Sequence, residues 1–228
     1  MIYLIESQSS SSVLFHMIIV PTDEESSHTI KQALVNQWHD PTVKLRSLVT
    51  VAYFPSWMYK TYGSFIDDLC TDAWIQYALT KYSQSDIDRH CNVNSPLHYL
   101  LVDTVLEYIK INFDSTFWMV ITNADNYYIP QFFNHLIEWK DKDIDILMVN
   151  MIYKGSLFPT EFKREKTDLG SYAIKSNYLL KTNAAFLSSL PTRCNAKHFH
   201  DADGYFIEKL VSMKAKIMKV DQFVFAQN

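Results

Sequence analysis

Short apolar runs alternate with longer amphipathic segments along most of the chain. In the longer segments apolar residues recur every three or four positions, which is the spacing of one helix face. This alternation is typical of an α/β fold, and it predicts a mostly parallel central sheet flanked by helices. We predict strands at residues 13–20, 45–54, 117–122, 143–153, 171–175 and 215–225, and helices at 28–38, 66–79, 95–110, 129–139, 177–190 and 204–213.

The start of the chain differs from the rest in composition. A serine-rich tract, SQSSSS, ends at Ser12, and we predict that residues 1–12 form a flexible tail. No repeat or linker interrupts residues 13–228. The chain has 228 residues, of which 48% are hydrophobic and 20% charged, so it can bury one substantial core. We therefore predict a single domain over 13–228.

Charge and hydropathy exclude two classes of partner. The 21 basic and 25 acidic residues are scattered, which predicts no nucleic-acid partner. The apolar run at 13–20 contains His16 and is far shorter than the roughly 20 residues of a spanning helix, so we predict no membrane span. The chain as given is predicted to be soluble, either in the cytoplasm or, in a truncated form, in the secretory lumen. The three cysteines show no metal-binding spacing.

A polar cluster follows the predicted strand at 117–122. Asn123, Asp125 and Asn126, in the segment TNADN, come where the strand ends. In open α/β sheets, ligands bind at the carboxyl ends of strands, and oxygen side chains suit a divalent cation shared with phosphate. Alternatively, TNADN is a polar turn in which Asp125 or Asn126 caps the next helix. We predict that TNADN lies at the end of a central strand.

Two further carboxylates, Asp201 and Asp203, open a predicted helix in the segment HDADG. A carboxylate is stabilised at a helix N-terminus, so one of the pair is expected to cap the helix. Asp203 adjoins Gly204 and is the predicted cap, which leaves Asp201 for chemistry. Gly170 lies in the loop before the predicted strand at 171–175, and Gly204 lies in HDADG. Glycine at such positions allows close backbone approach to a ligand or simply marks an element boundary.

The order and spacing of these segments resemble the nucleotide-sugar-binding core of GT-A glycosyltransferases of the family 2 kind. In that family an Asp-x-Asp motif holds manganese or magnesium against the diphosphate of the sugar donor. Here the motif is degenerate, because Asn123 stands in the first position and Asp125 in the second. The resemblance implies a metal bound by Asp125 and Asn123, with a nucleotide sugar as donor and a hydroxyl-bearing molecule as acceptor.

Other segments extend the resemblance over most of residues 13–228. Residues 166–175 match a loop and strand on the acceptor side, and residues 198–210 match the acidic loop that supplies the catalytic base in inverting members. The terminal strand often ends in a metal-binding histidine, and Gln227 occupies that position here. The resemblance implies these roles: acceptor side, Gly170, Ser171 and Tyr172; catalytic, Asp201 and Asp203; donor side, Asn123, Asp125, Asp103 and Asp23. A solvated helix face explains Asp103 equally well.

Three functions follow as hypotheses. The first is a glycosyltransferase, of hexosyltransferase type, that moves a sugar from a nucleotide diphosphate to an acceptor hydroxyl. The second is a catalytically silent relative that binds a nucleotide, glycan or protein, which Asn123 and Gln227 favour. The third is a nucleotidyltransferase, but the chain has PTDEE where a Gly-rich loop is expected after the first strand.

Overall fold

The computed structural model describes residues 16–21, 24–38, 48–52, 95–112, 117–123, 126–190 and 201–227. It combines helices with a mixed β-sheet, so the predicted α/β class is confirmed. The predicted tail at 1–12, the predicted helix at 66–79, Asp23 and Asp125 all lie outside the described residues. None of the described helices combines the length and the apolar character needed to cross a bilayer.

The described helices agree in place with most of the predicted ones. The segment predicted as one helix at 177–190 is interrupted at Asn183, whose φ of 53° is left-handed. Asparagine tolerates this conformation better than most residues and commonly ends helices in this way. The helices are α1 (Glu24–Trp38), α2 (Ser95–Asn112), α3 (Pro130–Trp139), α4 (Ser176–Thr182), α5 (Phe186–Ser189) and α6 (Ala202–Ser212).

Among the described residues the strands are more numerous than predicted, and several of them are shorter. The run at 117–122 contributes only two residues to a strand, and two other short strands were not predicted. The strands are β1 (His16–Ile19), β2 (Leu48–Val51), β3 (Trp118–Met119), β4 (Tyr127–Tyr128), β5 (Ile146–Tyr153), β6 (Ser156–Phe158), β7 (Tyr172–Lys175) and β8 (Ile217–Gln227).

The prediction of a mostly parallel sheet is wrong for the described strands. Six of them form one sheet in the order β3-β7-β5-β8-β4, with β6 beside β5, and only the β5–β8 pair is parallel. A tight turn at Lys154 and Gly155, both with positive φ, joins β5 to β6 as an antiparallel hairpin. The parallel pair has the long helical connection that such a pairing requires. β1 and β2 form a separate parallel pair.

The position of β3 also differs from expectation. The strand that leads into TNADN was predicted to be central, but β3 lies at one end of the described six-stranded order. The centre is β5, whose first six residues are all buried.

Helices pack on both faces of the six-stranded sheet. On one face, Ile146 and Met148 of β5 join a core cluster with residues of α2, α4, α5 and α6. On the other face, Val149 and Met151 join a cluster with Phe132 of α3. A strand buried on both faces reads as a nearly continuous apolar run, and β5 is interrupted only by the buried Asn150.

Candidate functional site

One side-chain and one backbone hydrogen bond join the two ends of the TNADN loop. Asn126 Nδ2 donates to Thr122 Oγ1 at 3.0 Å, and the Asn126 backbone N–H donates to the Asn123 carbonyl at 3.4 Å. Asn126 is only 6% exposed. Its side-chain carbonyl oxygen is buried and has no hydrogen-bond partner among the described residues. Buried acceptors without a partner are uncommon in folded proteins.

Tyr128, in β4, connects this loop to the turn at Gly170. Its hydroxyl donates to the Gly170 carbonyl at 3.1 Å. Burial raises the pKa of the Tyr128 hydroxyl well above its usual range, and a hydrogen bond from Thr122 offsets only part of that rise. Gly170 approaches so closely that a Cβ at this position would lie 2.6 Å from the Tyr128 hydroxyl oxygen. The close approach explains why this position is glycine.

A 3₁₀ turn, Leu169–Ser171, shapes the loop around Gly170, and Asp168 caps it. Asp168 Oδ1 accepts from the Gly170 N–H at 2.9 Å. Ser171 Oγ donates to the Asp168 carbonyl at 2.7 Å. Sequence reasoning did not single out Asp168. Its local signal was the spacing Asp-Leu-Gly-Ser, which places a capping serine three residues after the aspartate.

Gln227 joins the terminal strand β8 to the same turn. Its Nε2 donates to Asp168 Oδ2 at 2.7 Å. A carboxylate only accepts hydrogen bonds, so this contact fixes which end of the Gln227 amide faces Asp168. A chain of hydrogen bonds therefore runs from Tyr128 through the Gly170 turn and Asp168 to Gln227. Thr122, which Asn126 holds, also interacts with the Tyr128 hydroxyl, so three separately predicted segments meet here.

Asp201 and Asp203 lie at the start of α6 but exchange the predicted positions. The helix begins at Ala202, earlier than predicted, so Asp201 and not Asp203 occupies the N-cap position. The Asp201 side chain makes no capping hydrogen bond, while its carbonyl accepts from the Tyr205 N–H at 3.1 Å. Asp203 Oδ1 accepts from the N–H of Gly204 at 2.7 Å. Both carboxylates are half-buried.

Two tyrosines, the buried Tyr172 and the half-buried Tyr99, respond to the charges of these segments. Burial raises the pKa of both Tyr99 and Tyr172 well above the usual range, and the nearby charges of Asp203 and Asp168 raise both further. A hydrogen bond from the Asp203 backbone to Tyr99 acts in the opposite direction. Leu169 of the turn and Tyr172 after it share a core cluster with Phe206 of α6, so the turn capped by Asp168 and the start of α6 lie in the same neighbourhood.

The hydroxyl of Tyr172 is buried and has no hydrogen-bond partner in the part of the chain that the structure describes. Tyr172→Phe should therefore leave the free energy of unfolding unchanged or raise it, since an unsatisfied buried hydroxyl costs about 1–3 kcal/mol. Tyr128→Phe is the matched comparison. It should lower the free energy of unfolding by about 1 kcal/mol, because the Gly170 carbonyl loses its donor. Urea denaturation of both variants tests this, and a greater loss in Tyr172→Phe than in Tyr128→Phe would contradict it.

Asp103, a predicted donor-side residue, has backbone partners on α5. Its two carboxylate oxygens accept from the N–H groups of Phe186 at 2.7 Å and Leu187 at 2.9 Å. Burial raises the pKa of Asp103, and these two hydrogen bonds act to lower it. The contacts give Asp103 the role of capping the first turn of α5. Its role in donor binding stays a prediction.

The predicted metal ligands are only partly described. Asn123 lies in an exposed position at the end of its segment, and Asp125 is outside the described residues. Within the described ranges, no three histidine, cysteine or acidic side chains come close enough together to hold a metal. The assignment of manganese or magnesium to Asn123 and Asp125 stays a prediction.

The chain was also compared with known proteins. No protein-family model matches it, and no curated protein matches it significantly.

Proposed function

We propose that the chain is a single GT-A-like domain that transfers a sugar from a nucleotide diphosphate donor to an acceptor hydroxyl. The observation that carries this proposal is the hydrogen-bonded chain from Tyr128 through Gly170 and Asp168 to Gln227, beside which Asn126 is held by Thr122. It gathers the segments whose order resembles the GT-A core. Asp203 contributes charge to the same neighbourhood.

Sugar transfer places three requirements on a protein, and we assign residues of the chain to each of them. Asp125, with Asn123, is assigned to the diphosphate that leaves. A divalent cation bound there would neutralise part of the charge that develops on it. Asp201 is assigned to the acceptor hydroxyl, which must lose a proton or be oriented. The Gly170 turn, Tyr99 and Tyr172 are assigned to keeping water from the reacting atoms.

The experiment that tests the proposal is a donor screen. The chain would be heated with UDP-, GDP- and other sugar nucleotides, with and without manganese, and the shift in melting temperature recorded. At least one donor should raise it, because a ligand that binds only the folded state stabilises that state. The absence of a shift with every donor, together with the absence of turnover, would contradict the proposal.

Two substitutions in TNADN sharpen that screen. Asp125→Ala should abolish donor binding, since it removes the carboxylate expected to act at the diphosphate. Asn123→Asp should preserve or tighten metal-dependent binding by adding a second negative ligand. Asp141→Ala is a suitable control, because the Asp141 side chain is 86% exposed after α3. Calorimetry that finds undiminished donor affinity in Asp125→Ala would remove the proposed role of this residue.

A silent relative that binds without turnover is the second candidate function. Gln227 favours it, because its amide is engaged with Asp168 at 2.7 Å and stands where the resemblance implies a metal-binding histidine. Asn123 favours it as well, since it lacks the charge of an aspartate. Donor binding by calorimetry with no product over long incubation would support this candidate over the enzyme.

A further inference from the structure

We propose that Asp168 and Gln227 are positioning residues whose hydrogen bond holds the Leu169–Ser171 turn against the end of β8. We call this pair the clasp. The inference rests on the proposed function in one respect: the turn carries Gly170, Ser171 and Tyr172, which are assigned to the acceptor side. The hydrogen bond between Asp168 and Gln227 and its hold on the turn do not depend on that assignment.

Asp168 is buried, so loss of the hydrogen bond in the clasp should affect the turn strongly. Asp168 is 7% exposed, so a partner lost from its carboxylate is replaced by water only with difficulty. One oxygen binds the Gly170 N–H inside the turn, and the other binds Gln227 across the sheet. Hydrogen bonds to an ionised carboxylate are shorter and about twice as strong as neutral ones. The second bond is the one that connects the turn to a distant part of the chain.

Tyr128 and Phe225 also hold the turn on which the clasp acts. The Gly170 carbonyl accepts from Tyr128, and the Gly170 backbone lies against the rings of Tyr128 and Phe225. Tyr128 and Phe225 are themselves paired across β4 and β8. Gln227 lies two residues beyond Phe225 in the same strand. The end of β8 therefore contacts the turn by packing at Phe225 and by a hydrogen bond at Gln227, and both contacts set where the turn lies.

Changing Gln227 to glutamate tests the bond directly. Gln227→Glu would bring two carboxylates to the distance of a hydrogen bond, so near pH 8 they repel and the clasp opens. At lower pH one shared proton can restore it, because a like charge raises the pKa of a neighbouring carboxyl group. The double variant Gln227→Glu with Asp168→Asn exchanges donor and acceptor, so it should close the clasp at pH 8. Gln222→Glu is the matched control, because Gln222 is exposed in the same strand and bonds His135.

The principal measurement is hydrogen exchange at the Gly170 and Ser171 amides, which donate to Asp168 Oδ1 and to the Asp168 carbonyl. In Gln227→Glu at pH 8, relative to wild type at the same pH, their exchange should be faster by roughly tenfold, as expected when a hydrogen bond to a charged group is lost. The double variant should return to the wild-type rate, and Gln222→Glu should not depart from it. Gln227→Ala breaks the bond without added charge and replaces the glutamate variant if that chain does not fold.

Two results would overturn the clasp. One is unchanged exchange at Gly170 and Ser171 in both Gln227→Glu and Gln227→Ala. The other is a folded double variant in which the Gly170 and Ser171 amides exchange their hydrogens as fast as in Gln227→Glu. In a chain that transfers sugar, opening the clasp should raise KM for the acceptor several-fold and leave donor affinity within twofold, and an unchanged acceptor KM would overturn the positioning role. A wild-type chain that binds no donor would contradict the proposed function. Hydrogen exchange at the Gly170 and Ser171 amides would then still test the clasp.

Discussion

Asp201→Asn is expected to lower the rate of sugar transfer by about 10²–10⁴, the usual cost of removing a general base. The loss should fall on kcat, with donor affinity little changed, because the carboxylate helps chiefly in the transition state. The fold should stay intact, since asparagine has nearly the size of aspartate and no capping hydrogen bond from the Asp201 side chain to α6 is lost. Steady-state kinetics and thermal unfolding of the same preparation measure both quantities.

Asp203→Asn is the control for that experiment. Its carboxylate accepts from the Gly204 N–H, a bond that an asparagine oxygen can also accept, so the free energy of unfolding should fall by about 1 kcal/mol or less. Activity should be largely retained. If the two variants had equal and modest effects on rate, neither carboxylate would be the base. A retaining mechanism or the silent relative would then be preferred.

Gly170→Ala is expected to destabilise the fold more than any other single change considered. A Cβ at Gly170 would lie 2.4 Å from Phe225 Cε2 and 2.6 Å from the Tyr128 hydroxyl oxygen. Both rings are buried and pack against each other, with centroids 5.1 Å apart, so neither can move away cheaply. Inserting atoms into a packed core typically costs 1–3 kcal/mol and occasionally more, and we expect about 3 kcal/mol here. Urea denaturation gives the value.

Gly155→Ala separates crowding from backbone effects. Gly155 has a φ of 76° in the β5–β6 turn, and a Cβ there would meet nothing within 4 Å. Its replacement should cost only the penalty of a left-handed conformation, about 1–2 kcal/mol. A loss in Gly170→Ala no larger than that in Gly155→Ala would mean that the Phe225 ring yields readily. The close approach at Gly170 would then add nothing to the free-energy cost of the substitution.

The parts of the fold that could be predicted are the long, regular segments. α2, α3 and β5 each show a sustained helical period or an apolar run, and the corresponding predictions at 95–110, 129–139 and 143–153 agree with them. Strand direction has no such signature, because a period of two is the same in parallel and antiparallel strands. The cue for the hairpin was local, in the Lys154–Gly155 pair, and the two-residue strands were too short to recognise.

The candidate site divides in a similar way. Gly170, Asp201 and Asp203 could be selected from the sequence, because glycine and paired carboxylates at loop positions are visible as such. Asp168 and Tyr99 could not be assigned their partners, because those partners come from distant parts of the chain. The hydrogen bond from Gln227 to Asp168 and the one from the Asp203 backbone to Tyr99 exist only in the folded chain. Local spacing therefore located the loops, and tertiary packing decided what each side chain does.

The parallel pairing of β5 with β8 has a consequence for how the chain folds during synthesis. Ile146 lies opposite Ile217, so one flank of the central strand is completed only by the last strand described. Until those residues leave the ribosome, β5 exposes unpaired backbone groups along an apolar strand, which is a hazard for aggregation. Closing so large a loop is also slow, since its entropy is lost before the pairing compensates for it. The strand that ends this exposure carries Gln227, so the nascent chain completes its sheet and its polar network in the same step.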